Sequence, residues 1–301
     1  MPELPDITVY VEALRARIVG ARLEAIEIRG ISLLRSVDPP LREAEGKRVV
    51  GLRRLGKRIV IALEEDLFLV LHLMIAGRLH WKEPGARTAG RNLLASFRFD
   101  TGILTLTEAS TKKRAHLHLV RGAEALRQHD PGGLDVLEAD LASFRASLIQ
   151  ENHTLKRTLT DPHLFSGIGN AYSDEILHRA RLSPVKLSQR LEDDEVARLF
   201  AATRTVLTDW TERLRAEAGA GFPEHVTAFR PGMAVHGRFR EPCPDCGAPV
   251  QRIVQAESES HYCARCQCGG KLLADRALSR LLRKDWPRTL DELEARRKGG
   301  S

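Results

Sequence analysis

From Leu4 to Ile18 the apolar residues Ile7, Val11, Leu14 and Ile18 recur at three- and four-residue intervals, the spacing of one helix face, and Gly20 ends the pattern. An amphipathic helix is therefore expected almost at the start of the chain. Beyond it the period shortens. Runs rich in Leu, Ile and Val follow at Leu23 to Ile28, Arg48 to Leu52, Arg58 to Leu63, Leu67 to Leu73, Leu94 to Phe99, Ile103 to Thr107 and Leu117 to Val120, parted by Gly, Pro and charged turns. Such a density of short strands predicts an antiparallel sandwich or barrel with the first helix packed on it, an α+β domain that is mostly β.

At His129-Asp130-Pro131-Gly132-Gly133 the periodicity stops, and helical patterns take over at Ala139 to Gln150, Thr154 to Thr160, Asn170 to Ala180 and Asp193 to Ala218. Pro162 and Pro184 divide these helices, and Gly167-Ile168-Gly169-Asn170 forms a tight turn into one of them, which fits a helix-turn-helix arrangement. The expected organisation is a first domain over 1–133, a helical domain over 134–234, a cysteine-bearing module over 235–270 and a charged tail over 271–301. In the tail, Leu278, Leu281, Leu282 and Trp286 are spaced to share a helix face.

Cys243 and Cys246, then Cys263 and Cys266 after sixteen intervening residues, supply four thiolates in two Cys-x2-Cys knuckles, the pattern of one structural zinc ion. Cys268 is the odd cysteine, expected to be a spare thiol and not a ligand. The 47 Lys and Arg against 40 Asp and Glu give a net charge of +7, which suits a polyanionic partner; on charge alone, a merely basic protein is an equally good reading. No run of about 18 apolar residues occurs, and the N-terminus lacks the basic-then-apolar order of a secretion signal. The expectation is a chain with no membrane partner, cytoplasmic and associated with the nucleoid.

Pro2-Glu3-Leu4-Pro5-Asp6, Gly56-Lys57, His72-Leu73-Met74 with Gly77-Arg78-Leu79, Gly167-Ile168-Gly169-Asn170-Ala171-Tyr172 with Glu175-Ile176-Leu177, and the four cysteines lie in one order along the chain. In this the sequence resembles the formamidopyrimidine-DNA glycosylase and endonuclease VIII family of base-excision repair enzymes. The resemblance implies an N-terminal β-sandwich carrying the catalytic terminus, then a helix-two-turn-helix domain with a C-terminal zinc ribbon, acting on damaged DNA. The chain is expected to work as a monomer.

By that resemblance Pro2, exposed as the terminus when Met1 is removed, is the nucleophile. A secondary amine attacking sugar C1′ would give a cationic iminium, and an α-amino group has a reference pKa near 8, well below that of lysine. On the tripeptide alone, Met1-Pro2-Glu3 reads more readily as an ordinary start; the companion motifs reverse that. Glu3 could move a proton to the sugar oxygen or the departing base, and Asp6 stands where the family commonly has glutamate. The resemblance makes Lys57 a phosphate clamp at the catalytic centre and Asn170 a second phosphate contact, with Lys156 a further candidate. Glu175 reads as a structural support.

A flipped nucleotide leaves a hole that side chains must fill. Met74 is the wedge the resemblance implies, against the plain alternative of core packing. The second wedge loop aligns with Lys112-Lys113-Arg114-Ala115, which lacks the family's phenylalanine; the cations Lys112, Lys113 and Arg114 are carried as DNA contacts, and His116 and His118 as structural residues. In the ribbon, Ser258, flanked by Glu257 and Glu259, replaces the arginine that the family places five residues before the third cysteine, with Arg252 or Arg265 as potential substitutes. The activity implied is a DNA glycosylase with abasic-site lyase chemistry. The rivals are a damaged- or branched-DNA-binding protein without catalysis, supported by those two departures, and a zinc ribbon protein of RNA metabolism, which leaves Pro2-Glu3 unexplained.

Overall fold

The structure, a computed structural model, describes residues 1–224, 226–227, 229–255, 258–274, 281 and 287–299. The chain divides into two compact units, 1–133 with 208–228, and 134–207 with the remainder from 229.

In the first unit, helix α1 (Leu4–Ile18) is followed by eight strands: β1 (Leu23–Ile28), β2 (Val49–Leu55), β3 (Arg58–Leu63), β4 (Leu67–His72), β5 (Gly77–Lys82), β6 (Leu93–Phe99), β7 (Gly102–Glu108) and β8 (His116–Arg121). They form two antiparallel four-stranded sheets, ordered β1-β6-β7-β5 and β2-β3-β4-β8. Alternation along each strand sends Leu67, Leu69 and Leu71 of one sheet, Leu79, Leu104 and Leu106 of the other, and Ile7, Tyr10, Leu14 and Ile18 of α1 into a single core. The expected α+β sandwich is present. Strand β5 escaped the sequence pattern because it opens on glycine, and that glycine has a steric cause: a Cβ at Gly77 would sit 2.3 Å from the Leu73 carbonyl oxygen. The short helix α2 (Gly122–Arg127) was likewise unexpected; its Leu126 covers Val60, Val70 and Val120 on the outer face of the second sheet.

The second unit holds α3 (Leu141–Ile149), α4 (Leu155–Thr160), α5 (Asn170–Arg179) and the start of the long α6 (Asp193–Ala218), then the hairpin β9 (Gln251–Gln255) and β10 (Ser258–Tyr262), α7 (Ala264–Cys268) and α8 (Leu290–Gly299). Residues 208–228, expected in the helical domain, belong to the first unit. Two interactions account for this. Arg215 forks onto Glu12 of α1 at 2.8 and 2.9 Å, and Val226 and Phe222 join the sandwich core. In the tail, Leu278, Leu282 and Trp286 lie outside the described residues, as does Glu257, while Leu281 is exposed. No helix among the described residues is long and apolar enough to cross a membrane.

Next to the valine cluster on the outer face of β4 and β8, four imidazoles form a row: His72 to His116 at 5.0 Å, His116 to His118 at 5.6 Å and His118 to His129 at 4.5 Å between centroids. Burial, together with Arg58 and the neighbouring rings, lowers all four, His72 to about 3 and His118 to about 4. His72, His116 and His118 are sheet residues and His129 follows α2; the lowered pKa keeps all four neutral near pH 7, in line with the structural role expected of His116 and His118. An unfolded chain, whose histidines titrate near 6.5, takes up more protons than the folded one between that value and about 4, so stability falls as pH falls through this window. The melting temperature of the wild-type protein should accordingly drop more steeply from pH about 7 to about 4.5 than that of a His72→Asn, His118→Asn double variant. Parallel curves for the two proteins would remove the histidine row as the cause.

Candidate functional site

Glu3 is the N-cap of α1, in extended backbone, and Pro5 occupies the first turn, where its missing N–H costs no hydrogen bond. The Glu3 N–H donates to Asp6 Oδ2 at 2.9 Å, and both carboxylates are buried with Pro2. Asp6, where the family pattern has glutamate, thus holds the entry of the chain into its helix. Two anions at a helix N-terminus are favoured by the helix dipole. The Met1 amine beside them has its pKa lowered, chiefly by burial; Glu3 and Asp6 oppose this, while the cations Arg78 and Lys57 reinforce it. A larger share of that amine is therefore neutral near pH 7 than in a free peptide.

Lys57 follows Gly56 in the β2–β3 hairpin, where Gly56 takes φ +58° and its carbonyl accepts from Arg54 at 3.1 Å. Arg78, on β5, entered the sequence reading within the motif Gly77-Arg78-Leu79 but was given no role there. Its pattern signal was the lone arginine after Gly77, and only folding brings it to the amino terminus.

Two loops lie at the ends of these strands. In the turn after β4, Met74 has φ +51° and is half-buried, whereas its neighbour Ile75 is 52% exposed. Met74 is not core, but the apolar side chain projecting from this turn is Ile75, which sequence reasoning passed over. The β7–β8 loop is anchored from beneath by Glu108, only 1% exposed. Its carboxylate accepts the N–H of Arg114 at 3.0 Å and of Ala115 at 3.2 Å, and the Lys113 ammonium donates to its carbonyl oxygen. Lys112 is exposed and Lys113 and Arg114 half-buried, so positive charge is presented on a loop of fixed path. A cavity of about 270 Å³ opens between β5, β7 and the segment before β6, lined by His80, Lys82, Arg91, Asn92, Thr105 and Thr107. His80 is held there by Glu224 and, at 2.9 Å, by Thr107 Oγ1. The residues before β6 carry no motif, so nothing in the sequence pointed to this cavity.

In the second unit, Asn170 begins α5 and its side-chain amide donates to the Glu259 carbonyl of β10 at 2.9 Å. Lys156 is placed differently from the sequence expectation of a phosphate grip. Its ammonium, 12% exposed, turns inward to Asp174 Oδ1 at 2.7 Å and the Asn170 carbonyl at 2.6 Å. Asp174 is fully buried, which by itself would raise its pKa; the Lys156 charge and the imidazoles of His236 and His261 hold it well below the usual carboxylate range. His236 Nδ1 lies at 2.8 Å, a true hydrogen bond, and His261 Nδ1 at 3.5 Å, too long for a strong one. Glu175 accepts the N–H groups of Ala234, Val235 and His236 at 2.7 to 2.9 Å, the supporting role expected for it.

Cys243, Cys246, Cys263 and Cys266 converge with their sulfur atoms within 4.8 Å of one another. Cys246 and Cys263 are 3.4 Å apart and Cys243 and Cys266 3.9 Å, bracketing the roughly 3.8 Å edge of a tetrahedron with Zn–S bonds of about 2.3 Å. The cluster fits one structural zinc ion. His178, in the last turn of α5, brings Nε2 to 3.3 Å from Cys243 Sγ, within reach to donate to that thiolate. Cys268 stays outside the ligand set, its thiol pKa raised by burial. Of the potential substitutes for the ribbon arginine, Arg252 pairs with Glu259 at 3.0 Å and stacks on Phe239, while Arg265 reaches the Cys246 carbonyl at 3.4 Å.

Comparison with known proteins agrees with this arrangement. Residues 1–131 match the formamidopyrimidine-DNA glycosylase N-terminal domain, 133–216 the formamidopyrimidine-DNA glycosylase H2TH domain, and 240–267 the zinc finger found in FPG and IleRS. The formamidopyrimidine-DNA glycosylase of Heliobacterium modesticaldum is 33% identical over 281 residues, 89% of this chain and all of that protein. The crystal structure of MutM (Fpg) from Thermus thermophilus superposes with a TM-score of 0.73 at 30% identity, covering 88% of this chain and 98% of that one. The Lactococcus lactis Fpg in complex with abasic-site DNA shares the fold, with a TM-score of 0.78 at 24% identity over 88% of this chain and 99% of that one. Across a sandwich entered by a buried N-terminus, a helical domain and a four-thiolate ribbon, the likeness runs nearly the whole length of the chain, which therefore belongs to the formamidopyrimidine-DNA glycosylase family.

Proposed function

We propose that this protein is a base-excision repair DNA glycosylase with abasic-site lyase activity, using the imino group of Pro2 once Met1 is removed. The observation that carries this is the burial of Pro2 beside Glu3 and Asp6, next to a Met1 amine whose pKa burial, Arg78 and Lys57 lower; loss of Met1 would leave the Pro2 nitrogen in the same surroundings. A neutral amine is nucleophilic, and a desolvated one needs no water stripped from it before attack.

In the reaction the Pro2 nitrogen bonds to C1′ as the C1′–base bond breaks, and the base departs with a proton. Glu3 takes the proton released from the Pro2 nitrogen and delivers it to the sugar O4′ as the ring opens, leaving a cationic iminium. That cation draws electrons from C2′, whose proton is lost as the 3′ phosphate leaves in β-elimination; δ-elimination of the 5′ phosphate is a further step. Lys57 holds a phosphate at the reacting nucleotide, and Asn170 grips another with its amide and the N–H groups at the start of α5. Lys156 serves by fixing Asn170 through its carbonyl. The turn bearing Met74 and Ile75 fills the hole left by the flipped nucleotide, with Ile75 the leading side chain. Lys112, Lys113 and Arg114 meet the opposite strand from the loop that Glu108 anchors. Zinc keeps the ribbon folded and takes no part in the chemistry.

The second reading, a DNA-binding protein without catalysis, draws on Arg252, whose charge is compensated by Glu259 in the hairpin where the family has its phosphate-gripping arginine. Nicking of abasic-site DNA, as opposed to retardation without nicking, separates the two.

Borohydride should trap a covalent enzyme–DNA adduct on an abasic-site duplex. Pro2→Gly or a retained Met1 should abolish trapping, and Glu3→Gln should slow excision about 10²- to 10⁴-fold. Undiminished trapping by the Pro2 variant would refute the assigned nucleophile. For Lys57→Met, the slope of log affinity against log salt should shrink by about 1, since one phosphate contact is lost; an unaltered slope removes Lys57 from the phosphate contacts. With 2-aminopurine placed opposite a non-cleavable abasic analogue, Ile75→Ala should lose more of the fluorescence rise on binding than Met74→Ala does. The reverse order would return the wedge to Met74.

A further inference from the structure

The matched family domains end at residue 267, yet the chain continues, and its C-terminal segment returns to the metal module. Leu272 donates its N–H to the Arg288 carbonyl at 2.9 Å, Leu290 donates to the Gly270 carbonyl at 2.9 Å, and Lys271 and Thr289 form an antiparallel bridge between these bonds. Leu273 is pinned as well, its N–H donating to the Tyr262 hydroxyl at 2.9 Å. Helix α8 then starts with Thr289 as its cap. The Glu292 N–H donates to Thr289 Oγ1 at 3.2 Å and the Arg288 N–H to Glu292 Oε2 at 2.8 Å, which fixes the direction in which the helix leaves the ribbon.

That direction puts Leu290 and Leu293, one turn apart, on the same side. Leu290 is 2% exposed and packs in one cluster with Val235, Val250, Cys243 and Cys263, while Leu272, Leu293 and the half-buried Cys246 and Cys266 lie at its margin. The thiols are covered unequally. Cys243 and Cys263 are buried, whereas Cys246 and Cys266 are only half-buried. A zinc–thiolate centre loses its metal when water, a proton or a competing ligand reaches a sulfur atom or the ion, and an apolar wall over two of the four sulfurs closes that side to all three.

We infer that the C-terminal segment, through residues 271–274 and 287–293, is a built-in wall of the metal site that holds the zinc ion in place. The wall adds no ligand. It slows exchange by shielding Cys243 and Cys263, so any loss proceeds from the side of Cys246 and Cys266.

The test measures zinc release from the purified full-length protein to a chromogenic chelator, beside a chain ending at Gly270 and full-length Leu290→Ala and Leu293→Ala variants. Release should be about 10- to 100-fold faster from the shortened chain and intermediate for the leucine variants. The leucine variants keep the whole segment, so they decide the matter if the shortened chain folds poorly; circular dichroism checks that each retains its secondary structure. Release from Leu290→Ala at the full-length rate, with the zinc content unchanged, would overturn the inference. The readout is the metal itself, so the result is independent of whether Pro2 is a nucleophile.

Discussion

Taking an amino group out of water is costly, and the first unit is organised around a terminus placed in that position. Helix α1 begins only three residues into the chain, and its apolar face joins the core of the two sheets, which carries Pro2 and Glu3 into buried positions. The local charges then set the character of the buried group. Glu3 and Asp6 would keep it protonated, Arg78 and Lys57 push the other way, and burial, the largest influence, acts with the two cations. A strongly paired amine would be inert, and an isolated one would be too costly to bury. The balance leaves a Met1 amine that gives up its proton more readily than that of a free peptide.

The second unit solves a different problem, which is to hold a small module with little core of its own. Helix α5 does this with successive residues. Asp174 binds His236 and Lys156, Glu175 gathers three backbone N–H groups from 234–236, and His178 reaches a zinc-ligand sulfur. Asn170, at the start of the same helix, is tied to β10. A buried carboxylate such as Asp174 is tolerated because it is paired and hydrogen-bonded; removing any one partner would leave a charge without compensation in a dry place. The ribbon is thus fastened by zinc within, by α5 on one side and by the returning C-terminal segment on another.

Much of this could be read along the chain. The three- and four-residue recurrence of apolar residues gave α1 its bounds, because a helix half-buried against a sheet must repeat that way. The two Cys-x2-Cys pairs announced the zinc site, since two knuckles at that spacing can converge on one ion. Strand β5 was hidden by Gly77, whose small size serves the approach of another backbone and not strand propensity. Lys156 was misread because a lysine near a helix start looks the same whether its ammonium faces solvent or a buried aspartate eighteen residues on.

The sequence by itself determined α1, most strands of the first unit and the helices of the second, the metal ligands and the order of the family motifs, because these depend on local periodicity and short spacings. Tertiary structure decided which charges surround the terminus, which side chain is exposed in the turn after β4, and that residues 271–274 and 287–293 return to the metal module. Arg78 reaches the amino group, Ile75 projects where Met74 is half-covered, and Leu290 joins Cys243 and Cys263 only after distant segments have packed. Burial and electrostatic environment are properties of neighbours in space, and residues far apart in the chain become neighbours only when it folds.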